Sequence, residues 1–524
     1  MKRNYFTKIV NFDITDYCRS IFENNREYLF SFCILLLATV VIYFTKMTMP
    51  SYSDDDALFL YNANYSWLAV QGKIFAYLVT QFLSSNFLMA FLNILLSSAL
   101  QIVALFMMFN YIFKKKLNDF TLITGMLLYF TFIYHVSIQQ YVGLYLQVGV
   151  SLFLLGVVLS GPIKSPMSYI WQAGVIFIVL GIYQPVLSFY LISLSLGYLY
   201  YIYTGYMEDS EQSVVDIFKS SHTTQLIKRV VVFLVAMLAY IVYVKSFTTL
   251  AGYSSTVSNV EDIIASFNKS VTLSTYFMTR SFYYPEVAQN VYFKNVYIVI
   301  IGLFSLLTTF YAIKKRKITF LILTGTLLLS SFLFTNVTLG ITDKHETRHF
   351  LHVVLVIIFC YVVLLEYVRI KLIKSFLIVF TMLAIFQSTL LIHKLQALAY
   401  HTYQSEQLLA NSLLDKLDRL TDGSPNKVHD VAIIVDRAKN PSHVTYGHLY
   451  YHSIQGFIIN KWTFDAIIAR QHEYRVKTDI RYNFKVDNYE EKRELYFNSL
   501  SEQKKDVGFL DESKSDMFLV LKYK

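Results

Sequence analysis

The chain has 524 residues, of which 55% are hydrophobic and only 16% are charged, and its mean hydropathy is +0.44. Soluble proteins of this size carry nearer a quarter charged residues, so the composition excludes a soluble globular protein and indicates a polytopic membrane protein. The net charge of +10 belongs to residues 1–395, because residues 396–524 hold 18 basic and 18 acidic residues. Basic cytoplasmic loops explain this excess, so the charge does not call for a nucleic-acid partner.

Hydrophobic runs of 18 or more residues recur along the chain, as expected of helices that cross a bilayer. The first run, 29–47, is too long for a signal peptide and has no small-residue cleavage site, so it predicts a retained helix. Residues 1–27 before it are predicted to be cytoplasmic, with an amphipathic interfacial helix at 5–27. About eleven transmembrane helices are predicted, at roughly 28–48, 86–113, 119–137, 141–160, 167–183, 186–205, 230–248, 295–313, 318–337, 350–368 and 375–395.

The orientation of such a protein follows from the Lys and Arg residues in its short connections. With the N-terminus inside, every basic cluster falls on the cytoplasmic side: 114–116, 228–229, 314–317 and 369–374. The same orientation places four larger segments outside: 49–85, 249–294, 338–349 and 396–524. The sequence therefore predicts a multi-pass membrane protein, with its N-terminus inside and its C-terminal segment outside.

Two of the outer segments have patterns of their own. Residues 74–85, IFAYLVTQFLSS, are amphipathic and too short to span, so they predict a helix lying in the outer interface. Residues 396–524 are polar, with strand-like runs at 430–436 and 517–523 and a helical pattern at 405–420. The second segment predicts a small α/β domain on the outer face.

The stretch SYSDDDALFLYNANYSWLAVQGK, residues 51–73, places Asp54, Asp55 and Asp56 where the chain leaves the bilayer. A carboxylate at this boundary is partly desolvated, which raises its pKa toward that of a useful general base. Such a base could deprotonate a sugar hydroxyl that attacks a lipid-linked donor. The alternative is a solvated acidic loop with no chemical role. Coupled transport is disfavoured, because the predicted spans hold almost no ionisable residue at mid-depth.

This stretch resembles the first outer loop of the bacterial and phage O-antigen-modifying, serotype-converting (Gtr-type) glucosyltransferases. In that family an acidic pair is followed by an Asn-x-x-Trp-like stretch and then by Gly-Arg. The corresponding residues here are Asp54, Asp55, Asn64, Trp67, Gly72 and Lys73. Lys73 in place of Arg keeps the charge but lacks the bidentate fork. The motif covers about 25 residues, and the many spans with an outer tail resemble the plan of membrane-embedded GT-C glycosyltransferases.

The resemblance implies a polyprenyl-phosphate sugar donor, typically undecaprenyl phosphate glucose. The acceptor it implies is a growing surface glycan, such as the O-antigen of lipopolysaccharide. The location it implies is the bacterial cytoplasmic (inner) membrane. Asp54 or Asp55 would be the general base, with inversion at the sugar carbon. Asn64, Trp67 and His349 would contact the sugar or the acceptor, although Trp67 could instead only anchor the interface. No cofactor is expected, and dependence on a divalent metal stays open.

The phosphate of such a donor requires cations at the outer boundary. Lys73, Arg280 and Arg348 are the predicted phosphate-binding residues. Arg348 opens the tenth predicted span, with His345, His349 and His352 beside it, and a helix N-terminus also favours anions. The alternative for each of the three cations is that it reaches out to lipid head groups.

A competing interpretation comes from the same segment, because residues 345–349 read His-Glu-Thr-Arg-His, the H-E-x-x-H pattern of zinc hydrolases. Glu366 is predicted near the opposite membrane face and cannot be a third ligand, whereas Asp436 in the tail could. Two further alternatives stay open: a lipid-linked glycan flippase or transporter, and a glycan polymerase or ligase. A flippase would be expected to carry charges within a central cavity, and the predicted spans lack them.

Overall fold

A computed structural model of the chain describes residues 28–49, 73, 75–76, 78–79, 90–114, 117–132, 134–139, 142–161, 166–208, 216, 219–250, 294–314, 320–322, 324–326, 351–420, 428–435, 481–488, 507–511 and 516–521. Its helices are α1 (Leu29–Thr48), α2 (Ala90–Phe113), α3 (Asp119–Phe130), α4 (Tyr134–Gln139), α5 (Val142–Ser160), α6 (Pro166–Ile182), α7 (Leu187–Glu208), α8 (Ser221–Leu250), α9 (Lys294–Lys314), α10 (Val353–Tyr367) and α11 (Lys371–Leu420). Its strands are β1 (Val428–Val435), β2 (Arg481–Asn488), β3 (Val507–Asp511) and β4 (Asp516–Leu521).

Within these residues, seven helices are long and apolar enough to cross a membrane: α1, α2, α5, α8, α9, the first part of α11, and α7 with the 3₁₀ turn before it. Three shorter apolar helices, α3, α6 and α10, lie where the sequence predicts three further spans. The prediction of a polytopic helical membrane protein is therefore confirmed. The predicted span at 318–337 and the predicted helix at 5–27 lie mostly or wholly outside the described residues.

The predicted third span, 119–137, is interrupted in the structure, where α3 ends at Phe130 and α4 begins at Tyr134. In a continuous helix the carbonyl of Phe130 would accept a hydrogen bond from the backbone of Tyr134. The hydroxyl of Tyr43 in α1 donates to that carbonyl instead. A side chain from a distant part of the sequence thus stabilises the break, which is why hydropathy alone does not reveal it.

The predicted boundaries at two other helices also differ from the structure. α8 begins at Ser221 and not near residue 230, because the Ser220 hydroxyl accepts from the Thr223 amide and caps the start of the helix. α11 runs for 50 residues, so the predicted span at 375–395 and the predicted helix at 405–420 form one continuous helix of about 75 Å.

Small residues let α2 and α5 pack closely along their lengths. A Cβ atom at Gly149 would lie 2.9 Å from both the Cα and the carbonyl oxygen of Ser97, and one at Gly156 would lie 3.2 Å from the same atoms of Ala104. Close backbone approach of this kind is a main source of association between membrane helices, where lipid provides no hydrophobic driving force. α2 and α5 therefore form one of the closest helix pairs in the described bundle.

Arg229 does not lie in a basic loop, contrary to the prediction for 228–229. Its side chain is buried, and its guanidinium donates to the carbonyls of Val158, Leu159 and Gly161 at the end of α5. The group also lies 5.0 Å from the ring centre of Tyr111. Arg229 thus caps the C-terminus of α5, where a cation is favoured by the helix dipole.

The four strands form one sheet in the order β2-β1-β4-β3. β1 pairs in parallel with both β2 and β4, and β3 pairs antiparallel with β4. β1 and β4 coincide with the strand-like runs predicted at 430–436 and 517–523. Their nearly continuous apolar residues suit parallel strands that are covered on both faces. The connections between the strands lie outside the described residues.

Candidate functional site

Most residues predicted to act in the site lie outside the described residues: Asp54, Asp55, Asn64, Trp67, Arg280, Arg348 and His349. The same holds for His345, Glu346 and Asp436 of the competing zinc interpretation. Of the predicted group, the structure places Lys73, which is half-buried. It also places His352, which is fully buried with its ring centre 6.2 Å from that of Phe189.

The segment that follows Lys73 is packed against α6. The sequence predicts an interfacial helix at 74–85. The structure describes four of these residues, and all four are helical: Phe75, Ala76, Leu78 and Val79. The Phe75 ring meets that of Phe177 edge to face at 6.1 Å and lies where a Cβ atom of Gly181 would be. Lys73 is therefore held close to the C-terminal end of α6.

A group of buried polar side chains lies at one end of the helix bundle. We call the end at which α1 finishes, at Thr48, the distal end, and the end at which it begins, at Leu29, the proximal end. Eleven buried polar residues towards the distal end form what we call the distal polar cluster: Tyr43, Lys46, Asn93, Ser97, Ser98, Gln101, Tyr129, His135, Gln139, Tyr145 and Gln396. Several apolar helices thus place polar groups together in one buried region, at considerable desolvation cost.

One part of the cluster is a connected hydrogen-bond network between α2, α3 and α5. The Tyr129 hydroxyl donates to Gln101 Oε1 at 2.8 Å, and Gln101 Nε2 donates to Ser97 Oγ at 3.0 Å. Ser97 Oγ in turn donates to the backbone carbonyl of Tyr145. The hydroxyls of Ser98 and Tyr145 are 3.4 Å apart. The polar groups of α2 are therefore largely satisfied on this side of the cluster.

A second part of the cluster joins α11 to α1 and α4. The backbone amide of Lys46 donates to Gln396 Oε1 at 3.2 Å, and Gln396 Nε2 donates to Gln139 Oε1 at 2.9 Å. Thr45 Oγ1 and His393 Nδ1 are hydrogen-bonded at 2.8 Å beside this bridge. Lys46, with 2% of its side chain exposed, brings a buried cation to the last turn of α1. Asp54 follows the end of α1 by six residues.

His135 lies between these two parts, with an exposed fraction of 0%. Four aromatic rings surround it, with centroids at 4.4 Å for Tyr129, 5.8 Å for Phe130, 6.1 Å for Tyr145 and 6.5 Å for Tyr43. Neither ring nitrogen has a hydrogen-bond partner among the described residues. Two further buried donors in the cluster, Gln139 Nε2 and Asn93 Nδ2, also lack a partner within the part of the chain that the structure describes.

The sequence alone does not reveal this cluster, because Lys46 and His135 are single ionisable residues near the ends of separate predicted spans. The feature of the sequence that indicates the cluster is the helical spacing of its polar residues. Asn93, Ser97 and Gln101 recur every fourth residue in α2, and His135 and Gln139 have the same spacing in α4. Residues four apart share one helix face, so this spacing predicts a polar stripe inside an apolar run.

The arrangement combines a buried cation, aromatic faces and unpartnered hydrogen-bonding groups. Aromatic faces pack against the C–H groups of a sugar ring, and amide and imidazole groups can hydrogen-bond to its hydroxyls. The cluster is therefore suited to bind a polar, hydroxyl-bearing ligand at the distal end of the bundle.

Comparison with known proteins adds a finding of a different kind. The family model described as Glucosyl transferase GtrII matches residues 43–365, which is more than half of the chain. The match extends from Tyr43 near the end of α1 to Leu365 in α10. It includes the acidic loop and every member of the distal polar cluster except Gln396. No curated protein and no solved structure matches the chain.

Proposed function

Because the chain belongs to the glucosyl transferase GtrII family, we propose that it transfers glucose from undecaprenyl phosphate glucose, a polyprenyl-phosphate donor, to a surface glycan such as the O-antigen of lipopolysaccharide. The observation that carries the proposal is the family match over residues 43–365, which takes in the acidic loop and most of the distal polar cluster. The apolar helices support a membrane-embedded enzyme whose donor is anchored in the same bilayer.

The proposed architecture is that of a GT-C enzyme with about eleven spans. The seven long apolar helices and the three shorter ones support ten of these spans. Residues 1–27 are inside and residues 396–524 form an α/β domain outside, so the distal end of the bundle faces outward. The sheet formed by β1 to β4 supports this domain. In this orientation the acidic loop and the distal polar cluster meet the donor head group at the outer leaflet.

The proposed reaction is a single displacement at the anomeric carbon. Asp54 or Asp55 removes the proton from an acceptor hydroxyl, whose oxygen attacks the anomeric carbon with inversion. The bond between that carbon and the phosphate oxygen breaks, and undecaprenyl phosphate leaves. Lys73, Arg348 and Arg280 stabilise the charge of the leaving phosphate. Asn64, Trp67 and His349 contact the sugar or the acceptor, and no cofactor takes part in the scheme.

The orientation can be tested with reporter fusions. Fusions at Tyr400 and at Lys317 are expected to report opposite sides of the membrane, with Tyr400 outside, because 314–317 is a basic connection and basic connections stay cytoplasmic. A phosphatase reporter that is active only outside, paired with a fluorescent reporter that is active only inside, gives the readout. The same side for both fusions would contradict the arrangement and would move the acidic loop toward the cytoplasm.

The function is tested by incubating purified protein with radiolabelled undecaprenyl phosphate glucose and a glycan acceptor. Wild type should release undecaprenyl phosphate and label the glycan. Arg348→Ala should raise the donor KM by about 10- to 100-fold, because a charge-assisted contact to the phosphate is lost. Arg348→Lys should recover only part of this, since a point charge does not replace a planar fork.

Glu346→Gln is the matched control for Arg348→Ala in the same segment. The transferase predicts a mild effect of this change and no requirement for zinc. A zinc hydrolase built on His345, Glu346 and His349 predicts the reverse: about one bound zinc, an inactive Glu346→Gln and a normal Arg348→Ala. Metal analysis of the purified protein with donor titration of the variants separates the two. The second pattern would end the assignment of Arg348 to the donor phosphate.

A further inference from the structure

We propose that the distal polar cluster contains the binding subsite for the glucosyl group of the donor, with His135 and Gln139 hydrogen-bonding to sugar hydroxyls. This inference rests on the proposed function and adds to it the residues that recognise the sugar. No residue in this subsite belongs to the group predicted from the acidic loop or the H-E-x-x-H segment. His135 and Gln139 lie one helical turn apart on the short helix α4, so they face the same side.

The first argument is the cost of leaving these groups unpaired. Buried hydrogen-bonding groups in folded proteins nearly always have partners, and each exception calls for an explanation. His135 has two unpartnered ring nitrogens among the described residues. Asn93 Nδ2 and Gln139 Nε2 add two amide donors, the second of which lies near the hydroxyls of Tyr43 and Tyr145 but outside hydrogen-bonding geometry. The hydroxyls of Ser151 and Thr381, which also lack a partner within the described chain, are single groups on two different helices. The concentration at His135 therefore points to a ligand.

The second argument is the chemistry of the groups. A neutral imidazole offers one donor and one acceptor, and a sugar hydroxyl can satisfy either. The amide nitrogens of Gln139 and Asn93 are donors, which suit hydroxyl oxygens. The rings of Tyr129 and Tyr145 beside His135 supply apolar faces for the sugar C–H groups. An uncharged, polyhydroxylated group fits this combination.

The third argument is position. Gln139 is joined through Gln396 to the backbone of Lys46, in the last turn of α1. The acidic loop begins directly after that turn, and Lys46 brings a buried cation to the same place. A sugar held by His135 and Gln139 would therefore lie near the start of the segment that carries Asp54 and Asp55. Because His135 has no exposed surface, one of the surrounding aromatic rings must turn aside as the sugar enters.

The test compares two lipids that differ only in the sugar, using full-length protein in lipid nanodiscs. The probes are undecaprenyl phosphate glucose and undecaprenyl phosphate. His135→Phe keeps an aromatic ring in the aromatic surround and removes both unpartnered nitrogens. We expect it to bind the glucose lipid about 10- to 100-fold more weakly and undecaprenyl phosphate as wild type does. Its melting temperature should equal or exceed that of wild type, because a buried unpaired polar group is removed.

Two further variants keep the test decisive. His222→Phe, at the proximal end where His222 stacks on Tyr201, is the matched control and should leave binding of both lipids unchanged. His135→Gln retains one donor and one acceptor, so it should recover part of the affinity for the glucose lipid, and it replaces His135→Phe if that variant does not fold.

Three results would overturn the subsite. Unchanged binding of both lipids by the His135 variants would mean that the cluster does not contact the sugar. An equal loss for both lipids together with a lower melting temperature would show a structural role for His135. A wild-type protein that neither binds nor transfers glucose from this lipid would overturn the proposed function itself, and the subsite with it. Normal wild-type transfer in the first two cases leaves the proposed function standing.

Discussion

Replacing Asp54 or Asp55 by Asn is expected to lower the rate of glucose transfer by about 10²- to 10⁴-fold, the usual contribution of a general base. Asn has nearly the same shape as Asp but cannot take the proton of the acceptor hydroxyl at neutral pH. The lost step is chemical, so the donor KM should change little while kcat falls. The measurement is the transfer assay with undecaprenyl phosphate glucose, combined with donor binding to show that the variants still fold.

Asp56→Asn is the matched control for these two variants. Asp56 is adjacent in sequence and carries the same charge, but it lies beyond the acidic pair of the Gtr-type pattern. We therefore expect a small effect on kcat. Full activity in Asp54→Asn, in Asp55→Asn and in the double variant would return these residues to a solvated loop without a chemical role. Equal losses in all three single variants would instead indicate a general effect of loop charge.

The distal polar cluster supports the proposal that a base lies in this loop. The loop starts where α1 ends, and α1 ends among buried polar groups that include Lys46, Tyr43 and the bridge through Gln396. In the proposed scheme, a carboxylate near this region would lose hydration, which would raise its pKa and suit it to act as a base near neutral pH. With the sugar bound at His135, the proposed base in the next segment of the chain would deprotonate the acceptor hydroxyl that attacks the anomeric carbon of that sugar.

Hydropathy anticipates the helical membrane architecture because each span must satisfy its backbone polar groups internally and present apolar side chains to lipid. It does not anticipate the break between α3 and α4, because the Tyr43 hydroxyl that stabilises it comes from another helix. Arg229 shows the same limit. Lys228 and Arg229 are consecutive basic residues at a span end, yet Arg229 turns inward to the end of α5 because carbonyls there need donors.

Predicting a site from sequence is most effective for loops with a dense motif and least effective for polar residues spaced along helices. Asp54 and Asp55 attracted attention because adjacent carboxylates at a membrane boundary are unusual. Gln101 and Gln139 did not, since each is a single polar residue in an apolar run and a window average conceals it. They become a group only when α2, α4 and α11 come together in three dimensions, through contacts such as that between Gln139 and Gln396.

Gly149→Leu is expected to have the largest effect on stability among single changes in the bundle. A Cβ atom at this position would be 2.9 Å from the Cα and carbonyl oxygen of Ser97, and backbone atoms cannot rotate away as a side chain can. α2 and α5 must therefore separate. Overpacking of this kind typically costs about 1–3 kcal/mol, and a leucine against backbone should reach or exceed the upper value. Thermal unfolding of the detergent-solubilised protein measures the effect.

Two other glycines turn this prediction into a graded series. Gly156 on the same helix has 3.2 Å contacts to Ala104, so Gly156→Leu should destabilise less than Gly149→Leu. A Cβ atom at Gly302 in α9 would have no neighbouring atom within 4 Å. Gly302→Leu should therefore be neutral, or slightly stabilising because leucine has the higher helix propensity. Because Ser97 also bonds to the carbonyl of Tyr145, Gly149→Leu should impair donor binding more than Gly156→Leu does. Equal melting temperatures for all three variants would show that α2 and α5 do not depend on close backbone contact.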